Sequence, residues 1–418
     1  MNSKNKTKEK IIIVLVAVII LITVVGVVVI SDKGGNGGQN GTGSNGNSNG
    51  SSNNNSNGNG GTQNGEHYYD ELFAKDIMEI KITMSGDDTF LMWETPSEEN
   101  YYNCDVAIND IPWKNCAIRV RGKKNTEDVF ESGSNKYSYK LDFNEYDNKN
   151  EFYKLDGMYL HNMIEDSSYI GQYISFKMME KLGAKVPYYT LARVQINDEK
   201  TEWYFVTEEF NNSLAKRITG KDGTVCLFEA NNKLANLSNK DNSANYDVKY
   251  GEDGQESYID SFIAVLNNPE STEADIEAVL DVESVLKAFA VNYVVGNYAG
   301  YQGPNPDNFY LLYDNGVMTY FEEDFTGAGG NYRKDEGYSL KVTKDKPVFD
   351  VSMDERPLVK VLLERDKYYK MYESYVTKLQ EYVKNGDVIK EAKELLGDYV
   401  SSEEFKKGED KLNKYLGR

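Results

Sequence analysis

The sequence predicts an α+β protein in two lobes, a strand-rich one followed by a helical one, preceded by one transmembrane helix and a disordered linker. Three observations lead there. An uncharged apolar run occupies residues 11–30, a tract of only Gly, Asn, Ser, Gln and Thr occupies 34–65, and the hydrophobic period changes from two to helical spacing about halfway along the remainder.

Charge divides the chain in the same way. Of 418 residues, 47 are Lys or Arg and 67 are Asp or Glu, a formal charge of −20. Residues 1–65 carry five lysines against Glu9 and Asp32, or +3, so 66–418 carry −23. A body this acidic argues against nucleic-acid binding, which depends on neutralising phosphates. The only histidines are His67 and His161, which excludes an HExxH zinc site, and three cysteines form neither a CxxC pair nor a disulfide framework. Cys104 and Cys116 flank a predicted hairpin, so a disulfide and two reduced thiols both remain open.

The run IIIVLVAVIILITVVGVVVI is 20 residues long. As a helix it spans roughly 30 Å, the thickness of a bilayer's hydrocarbon core. It exceeds the apolar segment of a signal peptide, and VVVISDKGG has no A-x-A cleavage pattern, so the reading is an uncleaved anchor. Lys4, Lys6, Lys8 and Lys10 put residues 1–10 in the cytoplasm and the main domain outside the cell membrane. The linker, 31–65, has nothing to bury and reads as a flexible tether averaging roughly 30 Å.

Within 66–418, strands are expected at IMEIKITM (77–84), in a meander over YYNCDVAIND and NCAIRVRG turning at Pro112-Trp113, and at KYSYKLDF (136–143). A helix is expected over 167–183, closed by Gly183 and Pro187, and strands return at TLARVQIN (190–197) and TEWYFVTEEF (201–210). The second half reads as helices at 257–268, 282–297 and most of 356–416. A strand pair interrupts them, turning at Asp314-Asn315-Gly316. The expected lobes run from about 77 to 232 and from about 257 to 418.

Three clusters carry candidate chemistry. IRVRGKKN and KYSYKLDF are basic, and Lys136, Ser138 and Lys140 share one strand face. A lysine beside a glycine turn suits polyphosphate, whereas the ordinary expectation is a solvated strand face. Glu208-Glu209 end a strand and offer a carboxylate to position Lys140, whereas the ordinary expectation is an exposed strand end. Asn308, Glu322 and Asp324 supply hard oxygens of the kind magnesium takes, although a polar hairpin edge has the same composition.

In this order the pieces resemble the CotH family of atypical secreted kinase-like proteins, named for a spore coat protein. The resemblance runs from about Ile77 to the C-terminus. It rests on the RxRG turn (Arg119, Arg121, Gly122), on KYSYKLDF against a family RYSFKIEF, and on Leu160, Asn162 and Asp166 at a helix start. It continues through a Y-x-x-x-E ending at Glu208, the segment Asn297 to Gly303, Asn308-Phe309-Tyr310, and the helical region 355–375. It implies a two-lobed protein-kinase-like fold that uses Mg2+ and ATP to phosphorylate serine in surface or coat proteins. By position, Lys140 and Arg121 would contact the nucleotide, Glu208 would hold Lys140, and Asn308, Glu322 and Asp324 would take the metal.

The departures fall at the centre of that chemistry. Where the family pattern is N-x-D-x-Y-x-G, this chain has Asn297-Tyr298-Ala299-Gly300-Tyr301-Gln302-Gly303, so alanine replaces the catalytic aspartate. The W-D motif reads Phe321-Glu322, and a basic position after the helix start is Gly171. Asp307 is the substitute base the sequence offers. The resemblance therefore implies a weakened kinase, with an inactive scaffold (a pseudokinase) as the alternative. The 32 tyrosines prompt a third reading, a carbohydrate-binding surface module.

Overall fold

Alternating burial closes the first half of the body into a barrel. Its strands are β1 (Ile77–Thr83), β2 (Tyr102–Ile108), β3 (Ile111–Val120), β4 (Tyr139–Asp142), β5 (Gly157–His161), β6 (Tyr189–Ile196) and β7 (Glu202–Glu208). Their order around the barrel is β1-β2-β3-β4-β5-β7-β6, and β6 returns to β1 in parallel, with Ile77 opposite Leu191. Met78, Ile80 and Ile82 of β1, Leu141 of β4 and Val206 of β7 fill the interior. The computed structural model describes residues 68–74, 77–220, 225–252, 254–329, 347–349, 351–397 and 399–415. The expected anchor, 11–30, and linker, 31–65, lie outside these, and no helix among the described residues is long and apolar enough to cross a membrane.

The β2–β3 turn falls at Asn109-Asp110, not at Pro112-Trp113. Both residues have positive φ, 51° and 66°, which Asn and Asp tolerate and which matches the twist of a two-residue hairpin. Pro112 lies within β3, opposite Ala107. Cys104 and Cys116 face each other directly across this hairpin as buried free thiols.

A second sheet, order β11-β10-β8-β9, contains β8 (Val225–Ala230), β9 (Tyr246–Tyr250), β10 (Phe309–Asp314) and β11 (Val317–Glu322). The β10–β11 turn is the expected one, with Asn315 at φ 51° and Gly316 at φ 95°. Sequence reading placed β8 with the first lobe. Its hydrogen-bonded partner is β10, so the strand-rich and helical portions do not divide near residue 232.

The helices are α1 (Gly86–Glu94), α2 (Lys123–Ser132), α3 (Ile170–Lys181), α4 (Asn212–Thr219), α5 (Ser257–Leu266), α6 (Glu273–Val279), α7 (Val282–Val295), α8 (Pro357–Leu363), α9 (Asp366–Lys384), α10 (Asp387–Leu396) and α11 (Ser402–Tyr415). Asp166 starts α3 as the sequence implies. Its Oδ2 accepts the Gly171 N–H at 2.9 Å, and its Oδ1 accepts that of Ser168 at 3.1 Å. Nearly every side of α7 is buried, as expected of a central helix, and Asn292 is its fully buried polar residue. A small cluster joins the outer face of the barrel to the second sheet, with Phe210 stacked on Tyr310 at 4.1 Å.

Candidate functional site

Register decides which side chains meet. Lys140 on β4 lies opposite Arg119 of β3 and Tyr159 of β5, and Tyr159 lies opposite Thr207 of β7. Residues directly opposite share a face, so this row points out of the barrel while Tyr139, Leu141, Leu160 and Val206 point in. Lys140 is not part of a solvated strand face. It is 9% exposed, its Nζ lies 2.6 Å from Glu209 Oε1 and 3.1 Å from Asp142 Oδ2, and the Tyr101 ring is 5.5 Å away. Burial is the largest single influence and would lower the ammonium's pKa, but Glu209, Tyr159, Tyr101 and Asp142 together outweigh it and hold the lysine protonated.

Glu208, expected to hold Lys140, faces the other way. It shares Val206's side of the strand and is fully buried. Arg217 binds it through Nε at 3.1 and 3.2 Å and through Nη2 at 2.5 Å. The Tyr68 hydroxyl and the Tyr188 N–H (3.2 Å) also donate to it. Glu209, one residue on, emerges on the side of Lys140. It passes over Gly157, where a Cβ would meet Glu209 Oε2 and come within 2.7 Å of the Leu141 carbonyl oxygen. Gly157→Ala is therefore expected to cost about 1–3 kcal/mol and to push Glu209 off Lys140, measurable by urea unfolding; an unchanged midpoint would contradict this packing.

Arg121, expected at the nucleotide, serves as a brace. Its Nη2 lies 2.5 Å from Glu323 Oε1, and its guanidinium lies 3.8 Å from the centre of the Tyr159 ring. Glu323 directly follows β11, so this pair ties the barrel to the second sheet.

The second centre gathers where α7, β10 and β11 end. Ala299 is 1% exposed, packed with Tyr298 and Phe349. The Asn297 side chain holds the segment. Its amide donates to Asn292 Oδ1 at 2.9 Å and to the Asp324 carbonyl at 2.8 Å, and its Oδ1 accepts the Ala299 N–H at 3.2 Å. Glu322 Oε2 accepts from the Asn292 amide (2.7 Å) and the Tyr320 hydroxyl (2.9 Å), while its Oε1 is buried without a donor. Burial pushes this carboxyl up to about 8, against the two hydrogen bonds. Gly300 leaves room for it, since a Cβ there would come within 2.7 Å of Glu322 Oε1.

Each of the three expected metal ligands has a hydrogen-bond partner within the protein. Asn308 donates its amide to the Ala299 carbonyl at 2.8 Å, Asp324 Oδ1 accepts the Thr326 N–H at 2.7 Å, and Glu322 is turned into the core. Among the described residues no three His, Cys, Asp or Glu side chains are grouped to hold a metal ion. Glu322 Oε1, buried without a donor, is the oxygen of the set left available to a cation. Asp307, the substitute base, has its charge beside Arg356, whose guanidinium also donates to the carbonyls of Tyr301, Gly303 and Pro304.

A family model described as CotH kinase protein matches residues 118–412. The chain belongs to the CotH kinase family. The match begins on β3 and takes in Lys140, Glu209, Ala299 and Glu322. A kinase-like family suggests use of ATP and metal in general. A comparison with curated proteins gives no match. Among solved structures, the Shewanella oneidensis MR-1 toxin–antitoxin complex of HipA, HipB and operator DNA aligns at 11% identity and a TM-score of 0.33. It covers 62% of this chain and 57% of that one, so the chain spans little more than half its length, and a likeness at this level carries no argument.

Within the CotH assignment, the residues that sequence reading missed are supporting ones. Asn292 and Tyr320 hold Glu322, and Gly300 and Gly157 make space for the two buried carboxylates. Gly171 has a similar reason. A Cβ there would lie 3.0 Å from Ala328 Cβ and 3.1 Å from Asp166 Oδ2, so any larger residue requires the segment after β11 to give by a few tenths of an ångström.

Proposed function

We propose that this chain is a membrane-anchored, extracytoplasmic kinase-like protein with an ATP-phosphate site at the Lys140 face and a deficient phosphoryl-transfer centre. The observation that carries the reading is the contrast between two buried positions. Lys140 is held by a carboxylate, as a phosphate-binding lysine needs to be, while Ala299 packs with Tyr298 and Phe349 and offers no proton acceptor. Phosphoryl transfer depends on positioning and charge stabilisation, and removal of a general base costs about 10²–10⁴-fold. Serine in surface or coat proteins is the acceptor that the family resemblance offers, and the anchor read in residues 11–30 places the body at the cell surface. The carbohydrate reading loses its motive, because Tyr137, Tyr139, Tyr298, Tyr301, Tyr310 and Tyr320 are core residues.

The test is incorporation of γ-phosphate into a serine-containing acceptor protein by the full-length chain. The expected turnover lies at least about 10²-fold below the roughly 1–100 s⁻¹ of working kinases, with a gain for Ala299→Asp once its melting temperature shows it folded. Turnover in the normal range by the unchanged chain would refute the deficiency. The nucleotide half fails if millimolar Mg-ATP gives the same heat with Lys140→Ala as with the unchanged chain.

A further inference from the structure

Lys140 is matched by more negative charge than it carries. Two of its three N–H groups are committed, to Glu209 Oε1 at 2.6 Å and to Asp142 Oδ2 at 3.1 Å. All three side chains are about a tenth exposed or less, at 11%, 2% and 10%. One positive charge against two negative ones leaves the group at −1 where water screens poorly. Beyond the three, Asp156 brings a further carboxyl and Lys249 a cation within electrostatic reach of Glu209.

The two carboxylates differ in what else they do. Glu209 rises from the end of β7 over Gly157 and is fixed by that packing. Asp142 is on the lysine's own strand, two residues on and on the same face, and its side chain is 10% exposed against 2% for Glu209. Its Oδ1 also accepts the Asn144 N–H at 3.1 Å. A phosphate oxygen approaching Lys140 needs the ammonium's charge unspent, and Asp142 has already taken it.

We infer that Asp142 is an internal competitor for Lys140, a positioning residue that keeps polyphosphate affinity low until its carboxylate is displaced or neutralised. This rests on the nucleotide reading of the Lys140 face and adds to it how the site is regulated. The competition is electrostatic, so its size grows with the charge of the ligand. A loss of packing or of fold would not scale with the number of phosphates.

The experiment is calorimetric titration of the full-length chain and of Asp142→Asn with Mg-ATP, Mg-ADP and adenosine. Asparagine keeps an acceptor for the Asn144 N–H while removing the charge. The expected result is ATP binding tighter by about 10-fold or more in the variant, a smaller gain for ADP, none for adenosine, and return of weak ATP binding in Asp142→Glu. Equal or weaker ATP binding by Asp142→Asn, or a gain that extends to adenosine, overturns the inference and leaves the nucleotide reading standing. Absence of heat from both proteins with every ligand overturns both.

Discussion

Glu208→Ala is expected to lower the unfolding free energy by about 3–5 kcal/mol, because it leaves Arg217 buried without its counter-ion. The carboxylate is fully buried, and Arg217, Tyr68 and Tyr188 all donate to it. Removal strands those donors in a site that water does not reach. Glu209→Gln is expected to cost about 1–2 kcal/mol, since Lys140 keeps Asp142 at 3.1 Å and the amide is close in shape. The two variants separate roles that neighbouring glutamates do not reveal in sequence. Glu208 ties α4 to the barrel, and Glu209 sets the lysine. Urea unfolding measures both. A tolerant Glu208 beside a fragile Glu209 would reverse the assignment.

The second large effect is a fall in stability as pH rises through the neutral range. Burial raises the Glu322 carboxyl to about 8 in the folded chain from an ordinary 4.5. Between those values the folded state keeps a proton that the unfolded state has released, so stability decreases with pH, approaching about 1.4 kcal/mol per unit for one proton. Below the ordinary value both states are protonated and there is no penalty. Above about 8 both are ionised and the whole penalty has been incurred. Asp156, raised to about 6 by burial and then by Glu151 and Glu209, adds a smaller loss in the same direction at lower pH. Chemical unfolding at pH 5, 6, 7 and 8 reads the slope. Glu322→Gln is expected to flatten it and to be the more stable protein at pH 8. A slope unchanged by that substitution would place Glu322 among ordinary carboxylates.

The strands and helices with clear periodicity were legible in the sequence, as was the Asn315-Gly316 turn. The choice between Glu208 and Glu209 was not. In β7, Trp203, Phe205 and Thr207 alternate with Tyr204 and Val206, so both faces are largely apolar and neither identifies itself as inward. Only the register of β7 on β5, Thr207 opposite Tyr159 and Glu208 opposite Met158, settles the parity. Barrel closure was hidden for a similar reason. It depends on β1 meeting β6, a pairing between distant segments that no local pattern records. The Ala299 departure was legible because it is a matter of identity at one position. The inward turn of Glu322 was not, because it depends on Asn292 and Gly300, residues that carry no chemistry of their own.

The parallel seam between β1 and β6 also sets an order of events. Neither strand has its full complement of backbone partners until the other has been made, and Ile77 waits for Leu191 across nearly all the intervening barrel strands. Contacts so distant in sequence form slowly, since the loop-closure entropy comes before any gain. Until then β1 and β6 are both open edges, which recruit other chains.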